Sequence, residues 1–325
     1  MANCRGVERI LKKLKDSVDS GKYYEAHQMY RTLYFRYNAQ KKYAEAIDLL
    51  YSGAKLLLEH NQITSGSDLS LLLLETLNAS DTERNDDTFE KIGILHKMID
   101  PESPDRPTFV VKALKWSKGS NCESNSGHPA LHKQFAVTLW QEKNYPEARY
   151  HFVHSNDGEG CAAMLVEYHI THGYPSEVDM FIAQAVLQYL CLKNKATATV
   201  TFYAYARQHP EVKKGPPYLL PLLNFLWFLL LAIEGGKLAF FTVLCEQYKL
   251  SLDRDPCYFQ YLDRIGQQFF GIPPPKKNTQ PGVFGNLLQS LFGEDEEEEE
   301  GFSSEVNLNS STSGRASVMN SEDLD

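Results

Sequence analysis

The sequence lacks the residue patterns that build zinc sites, disulfide frameworks and catalytic motifs. Its six cysteines lie far apart in 325 residues, and none forms a Cys-x-x-Cys pair or has histidines at zinc-site spacing. This distribution predicts free thiols in a reducing compartment. Neither a Gly-x-Ser-x-Gly elbow nor a P-loop is present, and no cysteine has the neighbours of an activated nucleophile. We therefore expect no enzyme activity and no cofactor.

The histidines do not form a recognisable metal motif either. Zincins need Glu directly after the first histidine, whereas Pro129 follows His128, and no third ligand is evident elsewhere. We expect these side chains on helix surfaces or at helix ends, with no metal bound. Three pairs have helical spacing: His128 with His132, His151 with His154, and His169 with His172.

Long hydrophobic runs are also missing. The most apolar segment, Leu219 to Ile233, is interrupted by Pro221 and Asn224. It falls short of the roughly 20 residues that span a bilayer. No charged segment followed by an apolar stretch opens the chain, so a secretory signal is not expected. We predict a buried helix here, no direct membrane insertion and a cytosolic protein.

Strand signals are scarce, and helical periodicity covers most of the chain. Val7, Ile10, Leu11, Leu14 and Val18 form one amphipathic stripe. This stripe predicts that Leu11 and Leu14 both point inward. A second apolar stripe, from residue 69 to residue 77, predicts a helix that Ser67 and Asp68 would cap.

A short motif recurs after polar breaks: an aromatic residue, any residue, Glu and Ala. It occupies Tyr23 to Ala26, Tyr43 to Ala46, and Tyr145 to Ala148. Placed at the start of a helix, the small alanine lets neighbouring helices approach closely. The spacing is typical of helix-pair repeats such as tetratricopeptides, in which one pair cannot bury its apolar face alone. We predict an all-α, right-handed α-α superhelix of about fourteen helices.

Turn-forming residues divide the chain into four predicted parts. Residues 1–120 form an N-terminal helical half, and the Ser-, Asn- and Gly-rich stretch 118–129 is a loop leading into a C-terminal half, 121–271. Helix ends at Phe270, and residues 272–293 combine a Pro-rich exit with a short apolar helix. Residues 294–325 carry eleven acids and one Arg, which predicts a disordered acidic tail.

Charge is distributed unevenly. Without the tail, 31 acids balance 32 bases, so the body is nearly neutral and has no global footprint for nucleic acid. The first 42 residues, however, hold ten Lys and Arg against four acids. Several of these bases can project together as a positive face for an acidic partner, although a solvated terminal cap has the same composition.

The apolar helix near the end of the chain is predicted from Phe284, Leu287, Leu288 and Leu291, which share one side. Such a helix is marginal alone in water. It either docks back on the solenoid or binds a partner protein, and the sequence leaves both alternatives open.

Six segments together resemble the Golgi-to-ER traffic protein 4 family, over about residues 5–293. They are Gly21 to Leu33, Ala113 to Ser117, Tyr168 to Phe181, Gly236 to Leu238, Cys245 to Tyr248, and Leu287 to Leu291. The resemblance implies a cytosolic helical-repeat adaptor that hands tail-anchored membrane proteins to a targeting ATPase. It also implies that an ATPase-binding face includes Lys12, Lys15, Lys22, His27 and Arg31.

The resemblance also implies the remaining partners. A large BAG-domain scaffold, BAG cochaperone 6, would bind the C-terminal half, and ubiquitin-like protein 4A would join through it, in a complex that also sorts misfolded proteins for degradation. Fungal members carry a hairpin insertion that contacts the ubiquitin-like subunit directly. The corresponding stretch here, His209 to Pro217, holds three prolines and little room for a hairpin.

A helical-repeat subunit of a proteasome-lid or signalosome-like assembly is the alternative, although no strand-rich terminal module is visible.

Overall fold

The computed structural model describes residues 2–80, 82–118 and 126–273, and it describes side chains from residue 9 onward. Within these ranges every regular element is helical, which confirms the all-α prediction. The first eight helices are α1 (Ala2–Asp19), α2 (Tyr23–Ala39), α3 (Tyr43–Glu59), α4 (Ile63–Ala79), α5 (Asp86–Met98), α6 (Asp105–Ser117), α7 (Pro129–Gln141) and α8 (Tyr145–Val153).

The second part of the chain has the same architecture. A single 3-10 turn, Pro175–Glu177, precedes α10. The helices are α9 (Gly158–His172), α10 (Val178–Cys191), α11 (Lys195–Gln208), α12 (Pro221–Gly235), α13 (Leu238–Gln247), α14 (Lys249–Leu252) and α15 (Cys257–Phe270). Helix α9 begins at Gly158, so the Gly158–Gly160 segment forms its first turn.

Each helix packs mainly on its neighbours in the chain. Helix α3 packs on α2, α4 and α5, and α9 packs on α8, α10 and α11. Contacts between first and second neighbours define a solenoid, whose core grows by stacking one unit on the next. The C-terminal end departs from this rule because α15 returns to pack on α10.

Five of the turns between helices share one backbone geometry. Their middle residues have positive φ: Gly21, Lys41, Asn61, Lys143 and Lys193. In the second turn the Lys42 N–H donates to the Tyr37 carbonyl and the Lys41 N–H to the Asn38 carbonyl. These are the two hydrogen bonds of a Schellman motif, which satisfies the last carbonyls of a helix. The other four turns repeat both bonds.

After each of these turns the fourth residue of the new helix is small and buried. Ala26, Ala46 and Ala148 are fully buried at this point, as the repeated motif predicts. The same position holds Gly66 in α4 and Ala198 in α11, two turns that the motif missed because the aromatic residue and Glu are absent. A Cβ atom on Gly66 would lie 2.5 Å from Leu58 Cγ, so the previous helix leaves no room for it.

Buried apolar side chains form two clusters that meet inside α7. The cluster from Leu14 to Phe135 includes that phenylalanine, and the cluster from Ala136 to Ile265 starts at the next residue. Helix α7 therefore presents one side to each part of the core. The predicted division at residue 120 stays a prediction, since residues 119–125 lie outside the described ranges.

The most apolar segment forms α12, with Pro221 in its first turn, where proline costs no hydrogen bond. Among the described residues no helix is long and apolar enough to cross a membrane. Helix α15 ends at Phe270 as predicted, with Gly271 in the left-handed conformation. The residues from His209 to Pro217 contain turns and bends and no strand.

His132, His151 and His169 are buried, so none of them lies on a helix surface. His151 and His169 do lie at helix ends, in the last turns of α8 and α9, as the alternative expectation has it. The two Nδ1 atoms of His132 and His151 lie 2.9 Å apart, joining α7 to α8. His169 Nδ1 lies 2.9 Å from His209 Nε2. Each pair satisfies its buried nitrogens across two helices, a pairing that local periodicity does not reveal.

Burial also holds the α7–α8 histidines neutral. Desolvation, followed by the nearby His154, lowers the pKa of His132 to about 4. Desolvation, followed by His132 and His154, lowers the pKa of His151 to about 3. In α5, burial and then Arg106 lower the pKa of His96 to about 2. Protonating any of these rings costs stability because a charged imidazole would lie in the core.

The first prediction concerns the left-handed turns. Replacing Lys193 by Gly should raise the free energy of unfolding by about 0.5–1 kcal/mol, because glycine has no Cβ penalty at positive φ. Lys97→Gly, within α5, is the control and should lower it by about 1 kcal/mol. Urea denaturation followed by circular dichroism measures both, and equal destabilisation would contradict the turn assignment.

The second prediction concerns pH. The unfolded chain takes up protons near pH 6.5, whereas the folded histidines His96, His132 and His151 do not until far lower pH. Stability should therefore be highest above pH 7 and fall as pH drops from about 6.5 to 5, by up to about 2 kcal/mol per histidine. Urea denaturation at pH 7, 6 and 5 checks this. The His132→Gln/His151→Gln variant should show a shallower decline, and an unchanged slope would refute the account.

Candidate interaction surfaces

The first helix carries three exposed lysines. Lys12, Lys13 and Lys15 are exposed on α1, while Leu14 and Ser17 are buried against the array. Leu11 is 38% exposed, so only part of the predicted inward stripe is correct. Helix α1 is the first described helix of the array.

Lys22 continues this surface in the turn before α2. Its side chain is 61% exposed, and its Nζ atom lies 3.9 Å from Glu25 Oε1. A contact of this length between exposed groups holds the lysine weakly. Lys12, Lys15 and Lys22 are called the lysine face below.

His27 and Arg31 occupy a different environment, because both bind Asp68 of α4. Arg31 Nη1 donates to both Asp68 carboxylate oxygens at 2.9 Å, and His27 Nε2 lies 2.8 Å from Oδ2. His27 is buried and Arg31 is half-buried, with its guanidinium carbon 6.0 Å from the exposed Phe35 ring. The Asp68 carboxylate thus offsets the positive charge of Arg31, one of the residues expected to form the positive face.

The predicted capping role of Asp68 was wrong. Helix α4 starts at Ile63 with Gln62 at its N-cap, so Ser67 and Asp68 lie in the helix interior. Asp68 faces α2 across the array, 37 residues from Arg31 and 41 from His27. No pattern of neighbouring residues reveals a pairing at that separation.

The C-terminal half offers an apolar surface instead. A cavity of about 140 Å³ lies between the start of α10 and the loop that leads into α12. Leu219, at its rim, is 70% exposed, and Phe228 and Leu231 of α12 are about 40% exposed. The cavity is lined by Pro175, Val178, Glu211, Val212, Lys213, Tyr218, Leu219, Leu220 and Leu223.

The four cysteines whose side chains the structure describes are held as neutral thiols. Burial raises the pKa of Cys161 and of Cys245 to about 12, and that of Cys191 to about 11. Cys257 is exposed, and its pKa is raised by partial desolvation and by Asp255. Within the described ranges, no three His, Cys, Asp or Glu side chains come together as metal ligands.

The predicted apolar helix with Phe284, Leu287, Leu288 and Leu291 lies outside the described residues, as does the acidic tail. The last described residue is Pro273, next to Ile272, whose side chain rests on Gly266.

The sequence model of the family described as Golgi to ER traffic protein 4 matches residues 40–292. This chain belongs to that family. The Golgi to ER traffic protein 4 homologs of Xenopus tropicalis and Homo sapiens are each 57% identical to this chain. The alignment with the Xenopus protein covers 92% of both chains. The alignment with the human protein covers 91% of this chain and 90% of the human protein. Membership in the family implies a role in the GET pathway, and it displaces the proteasome-lid alternative.

A solved structure supports the same assignment. The crystal structure of C. therm. Get4 superposes with a TM-score of 0.76 at 28% identity, over 89% of this chain and 96% of that one. The solenoid-like arrangement of helices is therefore shared with an experimentally determined relative.

The third prediction tests the link between α2 and α4. Asp68→Asn keeps the shape of the side chain and removes its charge, so it should lower the free energy of unfolding by about 1 kcal/mol, the partial exposure of the group limiting the effect. Asp87→Asn, in an exposed pair with Lys91, is the matched control and should change it by less than about 0.5 kcal/mol. Urea denaturation measures both, and equal effects would show that the Asp68 contacts add nothing.

Proposed function

We propose that this protein is a non-enzymatic adaptor in the cytosol that passes tail-anchored membrane proteins to a targeting ATPase for insertion into the endoplasmic reticulum. The family assignment supports a place in this pathway. The observation that carries the adaptor role is the difference between the two ends of the array. One end is charged and exposed, and the other is apolar.

The lysine face is proposed as the site of the ATPase contact. Lys12, Lys15 and Lys22 project into solvent and carry positive charge that an acidic partner surface attracts at long range. Exposed charges raise association rates more than they add to affinity, and salt screens them. A transient, salt-sensitive contact therefore suits this end.

Arg31 and His27 serve the same face indirectly in this proposal. Because Asp68 already binds both, they fix α2 against α4 and contribute less net charge than their types suggest. A partner that approaches α2 meets Arg31 beside the exposed ring of Phe35.

The C-terminal half is proposed to bind the large BAG-domain scaffold, BAG cochaperone 6, which brings ubiquitin-like protein 4A. Exposed apolar side chains, such as Leu219 at the cavity before α12 and Phe228 within α12, favour a stable contact that buries hydrophobic surface. The short segment from His209 to Pro217, which has no strand, favours recruitment of the ubiquitin-like subunit through the scaffold. In this complex the protein would also help to sort misfolded proteins for degradation.

The fourth prediction tests the lysine face. Lys12→Glu/Lys15→Glu should weaken binding to the targeting ATPase at least about tenfold at low salt, because two attractive charges become repulsive. The loss of binding should be smaller at about 0.5 M salt, because salt screens most of the long-range electrostatic attraction. Biolayer interferometry over a salt series measures both effects. Arg31 is left unchanged, since a glutamate there would face Asp68 and disturb the fold.

Lys55→Glu/Lys97→Glu is the control, because it makes the same change in net charge at exposed positions on α3 and α5. Its binding should stay within about twofold of the parent protein. Equal losses for the two double variants would mean that only net charge matters, and no loss for either would remove the lysine face from the proposal.

A further inference from the structure

The last helices of the array leave an apolar strip uncovered. Phe240 and Val243 of α13 are 65% and 54% exposed, and Leu250 of α14 is 88% exposed. Tyr248 is the cap shared by the two helices, so the spacings of three and seven residues put these side chains along one side. We call Phe240, Val243 and Leu250 the end strip. Contiguous apolar surface of this kind normally has an occupant.

The chain leaves the described structure beside α13. Ile272 donates its N–H to the Gly266 carbonyl, and its side chain lies on Gly266 next to Phe241. Phe241 stacks on Phe270 at 4.6 Å, which fixes the end of α15 against α13. Phe241 and Phe240 are adjacent in one helix, so the exit of the chain lies within one helix width of the end strip.

The segment that follows has the composition of a matching ligand. Phe284, Leu287, Leu288 and Leu291 repeat at the i, i+3, i+4 and i+7 positions of an apolar helical face. Ten residues, 274–283, three of them prolines, separate this segment from Pro273. A Pro-rich linker extends by about 3.1 Å per residue, so ten residues reach up to about 31 Å. Helix α13 is about 15 Å long. The segment therefore stays within reach of the end strip.

Covalent attachment favours the segment 284–291 over a separate molecule as the occupant of the end strip. A short tether gives an effective concentration in the millimolar range, so even weak apolar contacts are populated. Charge is complementary as well. Lys237 begins α13, with its Nζ atom 5.8 Å from the Phe240 ring, and seven consecutive acids, residues 294–300, follow the apolar segment.

We propose that residues 284–291 dock on the end strip of their own chain. The docked segment covers Phe240, Val243 and Leu250 and brings the acidic run toward Lys237. Any partner that uses this end of the array must displace it. This docking is a property of the isolated protein and involves neither the ATPase nor the scaffold.

The fifth prediction tests this docking by hydrogen–deuterium exchange on the full-length chain. Leu287→Asp/Leu288→Asp removes the apolar face of the segment, so amides of residues 238–252 should exchange about tenfold faster than in the parent protein. Asn286→Asp/Gln289→Asp adds the same two charges to the same segment off the apolar face. In that control the exchange of residues 238–252 should match the parent, and residues 43–79 should be unchanged in both variants.

Three outcomes would overturn the proposal. Equal exchange of residues 238–252 in all three proteins would mean that the segment does not cover the end strip. Equal acceleration in both variants would mean that added charge, and not the apolar face, is responsible. Protection that disappears when the parent protein is diluted a hundredfold would assign the end strip to a second copy of the chain.

Discussion

The close approach of successive helices at their first turns is the constraint on which this structure depends. A left-handed residue ends one helix, and five residues later a small side chain such as Ala26 or Gly66 lets the next helix lie against its predecessor. Because the same device recurs five times, the array repeats one geometry and its core grows by addition. A larger side chain at any of these points would push two helices apart.

An array built from neighbour contacts has two ends that differ. At the N-terminal end the first described helix is α1, and its exposed side carries Lys12 and Lys15. The C-terminal end is closed by the return of α15 to α10, which leaves Phe240 and Leu250 outside. The charged surface therefore belongs to the first described helix and the apolar surface to the last helices of the array.

Buried polar contacts add specificity to this stacking. Arg106 of α6 donates to both carboxylate oxygens of Glu142 at 2.6 and 2.9 Å, next to the point where the two core clusters meet. Arg254 makes a similar contact to the buried Asp179 of α10, at 2.9 Å. Removing one member of such a pair leaves a buried charge without a partner, which costs more than the pair itself contributes. These contacts therefore fix which helices face each other.

The sequence by itself determined the features that depend on nearby residues: the helical class, the small residues Ala26, Ala46 and Ala148 at helix starts, the end of the helical body at Phe270 and the exposed lysines of α1. Helical periodicity and turn chemistry act over a few residues, so they can be seen in the chain. Only the tertiary structure decided that Asp68 binds His27 and Arg31, and that His132 pairs with His151. These contacts form because packing brings together residues that are 19 to 41 positions apart in the chain. The same packing placed Leu11 partly in solvent and left the end strip uncovered.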